Sequence, residues 1–159
     1  GENIKGILGS TNWHWSLSDE GSKAFVKSFG TKYGFPPSQA AHTCYVQTLL
    51  YADAVQRAGS FDPCAVVEAL EGGDSSLPGI SSPANKGYLF DGLGNGQTLY
   101  RSADHQCFKD VLVVRGKENP TSEFDLLEVV EVTPVSQVWY EPDHPMFAGG
   151  SLGSCNPGA

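Results

Sequence analysis

Apolar residues recur at helical spacing in three stretches of the first half of the chain and alternate with polar ones in shorter stretches elsewhere. "IKGIL", Ile4 to Leu8, alternates and predicts a short strand. Phe25, Phe29 and Tyr33 return every fourth residue and predict a helix with one apolar stripe. Ser18 is placed to cap its start, and Asp19 and Glu20 fall in the first turn, where carboxylates complement the helix dipole. Gly34 stops it, and "FPP" continues as an extended link. The clearest pattern runs from Ser38 to Ala58, where Ala41, Cys44, Tyr45, Thr48, Leu49, Ala52 and Val55 share a face and Gly59 caps the end. "FDPCAVVEALEGG" predicts a third helix, capped by Asp62, with Pro63 at the first helical position and Gly72 at the end.

Beyond Gly72 the helical period lapses. "GGDSSLPGISSPANKG" is loop-forming, and "KGYLFDGLGNG" reads as a strand running into a turn. "GLGNG" lacks the lysine and the helix start that a phosphate-binding loop needs. "CFKDVLVVRG" and most of "FDLLEVVEV" predict two more strands. From Pro134 onward the chain reads as an irregular strap over the surface, carrying an exposed Trp139 and Cys155.

The length of 159 residues fits one domain or a piece of a larger protein, and 40% hydrophobic residues can build a core. A net charge of −8 argues against nucleic acid or an anionic membrane surface as partner. No apolar run approaches the ~20 residues that span a bilayer. The first residue is Gly1 rather than Met, so processing or cleavage ahead of it is expected, and a signal could have been removed. Four cysteines, an even number, fit an oxidised, exported protein, with four reduced buried thiols as the alternative. Their long spacings and the absence of a CxxC pair speak against zinc or thioredoxin-like chemistry.

Catalytic machinery is not visible. GxSxG is absent, and His14, His42, His105 and His144 are scattered. "ADHQC" sets Asp104 and His105 near Cys107, but neighbouring strand residues point to opposite faces, which favours a polar corner over a Cys–His nucleophile pair. A metal site from Asp104, His105 and His144 has no better support, and no cofactor is expected. Aromatic and polar residues instead gather at element ends, as in small-molecule clefts. "STNWHWSL" carries two of the three tryptophans. In extended chain Trp13 and Trp15 share one side and His14 takes the other. The indoles then either line a cleft or are buried packing.

The run from Gly21 to Gly72 resembles the type I periplasmic binding proteins, the solute receptors of ABC transporters for branched-chain amino acids, amides and urea. The resemblance rests on Phe25, Val26, Phe29, Lys32, Tyr33 and Gly34, then Pro37, Ala41 and Tyr45, then Ala54, Ala58 and Gly59, and finally Asp62, Pro63, Ala69 and Leu70. "YRSADHQC" resembles the R-x-x-D-H-Q of many amide and amino-acid receptors. The likeness extends over residues 1 to about 132 and covers only the last third of such a receptor.

The resemblance implies an α/β fold: the C-terminal part of two lobes, with parallel sheets flanked by helices. Residues 1–133 would contribute to both lobes, with 134–159 an irregular tail. Ile4–Leu8 would end the second lobe before a crossing, the helices over 19–72 would join the first, and Phe108–Arg115 would return to the second. It implies an extracytoplasmic, non-enzymatic solute-binding component that works with a membrane permease. Its ligand would be a small polar molecule such as an amino acid, amide, urea or small carboxylate. The expected ligand-binding residues are Trp13 and Trp15 at the crossing, with His42 and Tyr45 on the long helix. His42 stands where the family often sets an aromatic ring against the ligand, which points to a ligand needing a hydrogen bond or carrying negative charge. Exposed stripes on the first two helices imply a second polypeptide supplying the rest of both lobes. The alternative is a non-catalytic interaction subunit that reuses the fold. Cys44–Cys64 and Cys107–Cys155 are the expected disulfides, provided the family's helix order brings the first pair's helix ends together.

Overall fold

The computed structural model describes residues 2–77, 79–146 and 155. A 3-10 turn and one short strand lead into three helices, and the other strands follow. Helix α1 spans Glu20–Tyr33, α2 spans Gln39–Ala58 and α3 spans Pro63–Glu71. Each starts on a side chain that satisfies a free backbone N–H: Asp19 accepts from Ser22 N, Ser38 from Ala41 N and Asp62 from Ala65 N. The cap of α1 is therefore Asp19, one residue past the expected Ser18. Its second carboxylate oxygen also reaches Asn95 N, a contact a serine could not add. Gly34 and Gly59 end α1 and α2 at φ 80° and 63°, the left-handed region where glycine carries no Cβ penalty.

The strands form two three-stranded sheets. One has the order β1-β5-β6, from Leu8–Thr11, Val111–Gly116 and Leu127–Thr133; the other has β2-β3-β4, from Gly87–Phe90, Thr98–Arg101 and Cys107–Phe108. All these pairs are antiparallel, which corrects the expectation of parallel sheets. For three of the four pairs the physical reason is loop length: residues 91–97, 102–106 and 117–126 are too short for the dozen-residue crossover that a parallel pair requires. The strand expected over Ile4–Leu8 lies later, because residues 2–4 form a single 3-10 turn and Gly6 turns the chain at φ 71°. Strand β3 had no separate signal, and "CFKDVLVVRG" divides into β4 and β5 around Lys109–Asp110.

Leu77, Leu99 and Phe108 form the core of the second sheet with Val135, from the four-residue helix α4, Val135–Val138. The fully buried Arg101 locks this segment down. Its guanidinium holds Asp104 with two hydrogen bonds, donates to Tyr140 O at 2.7 Å and lies 4.3 Å from the Trp139 ring. Trp139 is thus half-buried against Phe108 at 4.6 Å, not exposed as expected. His105 hydrogen-bonds Glu71 at the end of α3, 2.6 Å away. "RSADH" is therefore a structural clasp joining α3, the second sheet and the segment after β6. His105 is turned away from any nucleophile role, and burial pushes the Cys107 thiol up, away from the reactive thiolate. No metal-holding cluster of His, Cys, Asp and Glu occurs among the described residues.

The face of α2 that the sequence marks as apolar is largely open. Cys44, Thr48, Leu49 and Ala52 are exposed, while His42, Leu50 and Ala54 are buried on another side. Tyr33 at 51% exposure and Leu49 at 38% extend this open stripe across α1 and α2. Neither expected disulfide is formed: all four cysteines are free thiols. Cys44 lies roughly four turns, about 20 Å, before the end of α2 where α3 begins, beyond the ~7 Å Cα limit for a bridge. The neighbour of Cys155 is Cys64, not Cys107.

Candidate functional site

Strand β1 leads into "NWHWSL", and a turn in which Leu17 N donates to His14 O breaks the extended alternation. The two indoles therefore part company. Trp13 is 1% exposed, while Trp15 stays half-open and tilts against His14 at 5.5 Å. Trp13 lies flat on His42, with ring centroids 4.3 Å apart and planes 4° from parallel. Its Nε1–H donates to Ser22 Oγ at 2.9 Å, and its edge meets Phe25 at 5.8 Å. Tyr45 stacks on the far side of Phe25 at 4.5 Å. Trp13, His42, Phe25 and Tyr45 thus form one aromatic column between β1, α1 and α2.

"GLGNG" closes over this column. His42 Nε2 donates to Leu93 O at 2.6 Å, which places the ring proton on Nε2. Lys109 Nζ donates to Gly94 O at 2.9 Å. A Cβ on Gly94, whose φ is 108°, would stand 2.7 Å from Ser22 Oγ and 3.0 Å from His42 Nε2, so only glycine fits. Asn95 is buried at φ 58° and donates from Nδ2 to Asn12 O and Asp110 O at 2.6 and 2.9 Å. Sequence reasoning read this loop only as a turn. The available signal was the density of glycine beside an asparagine, both of which tolerate positive φ.

Three openings surround the column. A cavity of about 480 Å³ is walled by Trp13, Trp15, Phe29, Phe35 and Phe124, with Gln39 and Glu123 among its polar groups. A cavity of about 280 Å³ takes His42, Leu50, Phe90, Phe108, Cys107 and Lys109. A groove of about 620 Å³ between α1 and α2 takes Tyr45 with Phe25, Phe29 and Tyr33. Of the four expected ligand-binding residues, Trp13, His42 and Tyr45 therefore join the column, while Trp15 stands outside it against His14 and shares a cavity only with Trp13.

Burial lowers the pKa of His42, opposed by the Leu93 carbonyl, and burial with Lys117 nearby lowers that of His14. His42 is a neutral ring whose Nε2 proton is already engaged, so it supplies no positive charge to a ligand. A base whose folded pKa lies below its unfolded value favours the folded state above the unfolded pKa of about 6.5. That contribution is lost as pH falls below it. Melting temperature should therefore drop between about pH 7 and about pH 5, above the range where carboxylates protonate. Asp125, held at about 2 by Lys117 and Thr121, contributes only to a later loss. The His42→Gln variant, which keeps an N–H donor, should flatten the drop. Melts that are level or rise on acidification would contradict this assignment.

The structure of an amino acid ABC transporter substrate-binding protein from Pseudomonas fluorescens Pf-5 superposes with a TM-score of 0.66 at 23% identity, over 84% of this chain and 32% of that one. A branched chain amino acid ABC transporter periplasmic ligand-binding protein from Burkholderia xenovorans LB400 gives 0.66 at 25% identity, over 86% and 32%. A solute binding protein of an ABC transporter from Rhodopseudomonas palustris BisB5, in complex with 3,4-dihydroxy benzoic acid, gives 0.64 at 12%, over 85% and 32%. The chain spans about a third of the length of these solved structures. No curated protein matches it significantly. The family profile described as periplasmic binding protein matches residues 1–121, most of the chain, and the chain belongs to that family.

Proposed function

We propose that this chain is part of an extracytoplasmic solute-binding component of an ABC uptake system. The observation that carries the reading is the family match over residues 1–121. In this reading residues 1–133 contribute to both lobes and 134–159 form a tail. The chain binds a small polar ligand (an amino acid, amide, urea or small carboxylate) without reacting it, as two lobes close around it. Trp13, Trp15, His42 and Tyr45 border the ligand cleft. Trp15 is the half-open ring of the 480 Å³ cavity, and the buried Trp13–His42 stack holds the wall behind it. A membrane permease is the onward partner, and a second polypeptide supplies the rest of both lobes. No helix among the described residues is long and apolar enough to cross a membrane.

One observation favours a second reading, a non-catalytic interaction subunit. The polar groups of the column are already spent on one another: Trp13 on Ser22 and His42 on Leu93 O. A thermal-shift screen with amino acids, amides, urea and small carboxylates separates the two. A ligand at 100 times its dissociation constant stabilises by ~2.7 kcal/mol. A clear upward shift with one class supports solute binding. No shift with any class, for the protein in its complete assembly, favours the interaction subunit.

A further inference from the structure

Cys64 occupies the first turn of α3 and is half-buried, and Cys155 is exposed at the surface. They lie 91 residues apart in sequence, yet the Cys64 thiol reaches the backbone carbonyl of Cys155. Among the described residues this is the only contact between cysteines; Cys44 lies on the open face of α2, and Cys107 lines the 280 Å³ cavity. We propose that Cys64 and Cys155 form a disulfide that fastens the chain's tail to the start of α3.

The placement gives the link a mechanical role. Helix α3 packs on α2 and on β2 and β3. The segment from Val135 to Tyr140 is held on the same sheet by Leu99, Phe108 and Arg101. A bond at Cys155 returns the chain from that sheet to α3 and closes the clasp covalently. The chemistry is thiol–disulfide exchange with a disulfide oxidant. The S–H bonds of Cys64 and Cys155 break and one S–S bond forms. The donor disulfide takes the two electrons and two protons and leaves as two thiols. The Cys155 thiol, then burial and the carboxylates of Asp62 and Glu68, push the Cys64 thiol up to about 11.

Incubating the intact protein with oxidised glutathione, alkylating it without reduction and mapping the digest by mass spectrometry tests the link. Expected is alkylation of two of the four thiols, Cys44 and Cys107, with one Cys64–Cys155 peptide pair that separates on reduction. The Cys64→Ser variant should free Cys155 for labelling, and Cys155→Ser should free Cys64. Should the first variant fail to fold, the second, outside the helices, gives the same reading. Four labelled thiols after oxidation, a Cys44–Cys64 or Cys107–Cys155 link, or Cys155 joined between two copies of the chain would overturn the proposal.

Discussion

Replacing Trp13 with alanine should lower the unfolding free energy by about 3–5 kcal/mol, the cost of removing a fully buried large aromatic. Domains of this size have only about 5–15 kcal/mol in total, so the loss would be severe. Three effects add. The indole fills the centre of the aromatic column, stacked on His42 and edge-on to Phe25. Its loss opens a cavity that the rigid "GLGNG" loop cannot collapse into, because Gly94 already touches Ser22 and His42. It also leaves the fully buried Ser22 hydroxyl without its donor. Trp13→Phe should cost less, since most of the ring contact survives. Trp15→Ala should cost less still, because Trp15 is half-open. Urea unfolding of the three variants measures the order. A loss below about 1 kcal/mol for Trp13→Ala would mean that the column is not a core.

Local chemistry made the helices legible. Ser38, Gly59, Asp62 with Pro63, and Gly72 act within a turn of their own positions, and each marks the boundary that its residue type predicts. Strand β1 was misplaced because its pairing partner β5 lies about a hundred residues on, and Gly6 redirects the chain before pairing begins. Parallel sheets were expected from the family resemblance, while the short loops that set the direction of β2–β3, β3–β4 and β5–β6 sit between the strands themselves. At the site, Trp13 and His42 were both named, but their stacking depends on a turn at His14–Leu17 that the W-x-W spacing hides. Capture of His42 by Leu93 joins residues 51 apart and had no signal in either segment. Trp139 looked exposed because its tail is rich in Pro and Gly, yet Arg101 and Phe108 give it a partner from across the sheet.

The second large effect concerns the open stripe. Tyr33, Leu49 and Tyr51 are exposed together with Cys44, Thr48 and Ala52 on α1 and α2. A helix with an apolar face buries it against another layer, and contiguous apolar patches of this kind are uncommon on monomers. The matched part of this chain covers about a third of the solved relatives, so most of a two-lobed fold lies outside these residues. We propose that the rest of the two lobes covers the α1–α2 groove, through an interface that is core-like and larger than about 2,000 Å². Such a surface should hold at high salt, since its stabilisation is apolar rather than charged.

Thermal unfolding of these residues, produced alone and together with the rest of the two lobes, tests this claim most directly. Alone, the 17.0 kDa chain should show no cooperative melt, and with the rest of the fold it should melt in one cooperative transition. A lone 17.0 kDa species that melts cooperatively would contradict the claim, and would mean that these residues fold and bury their aromatic column without the rest of the two lobes.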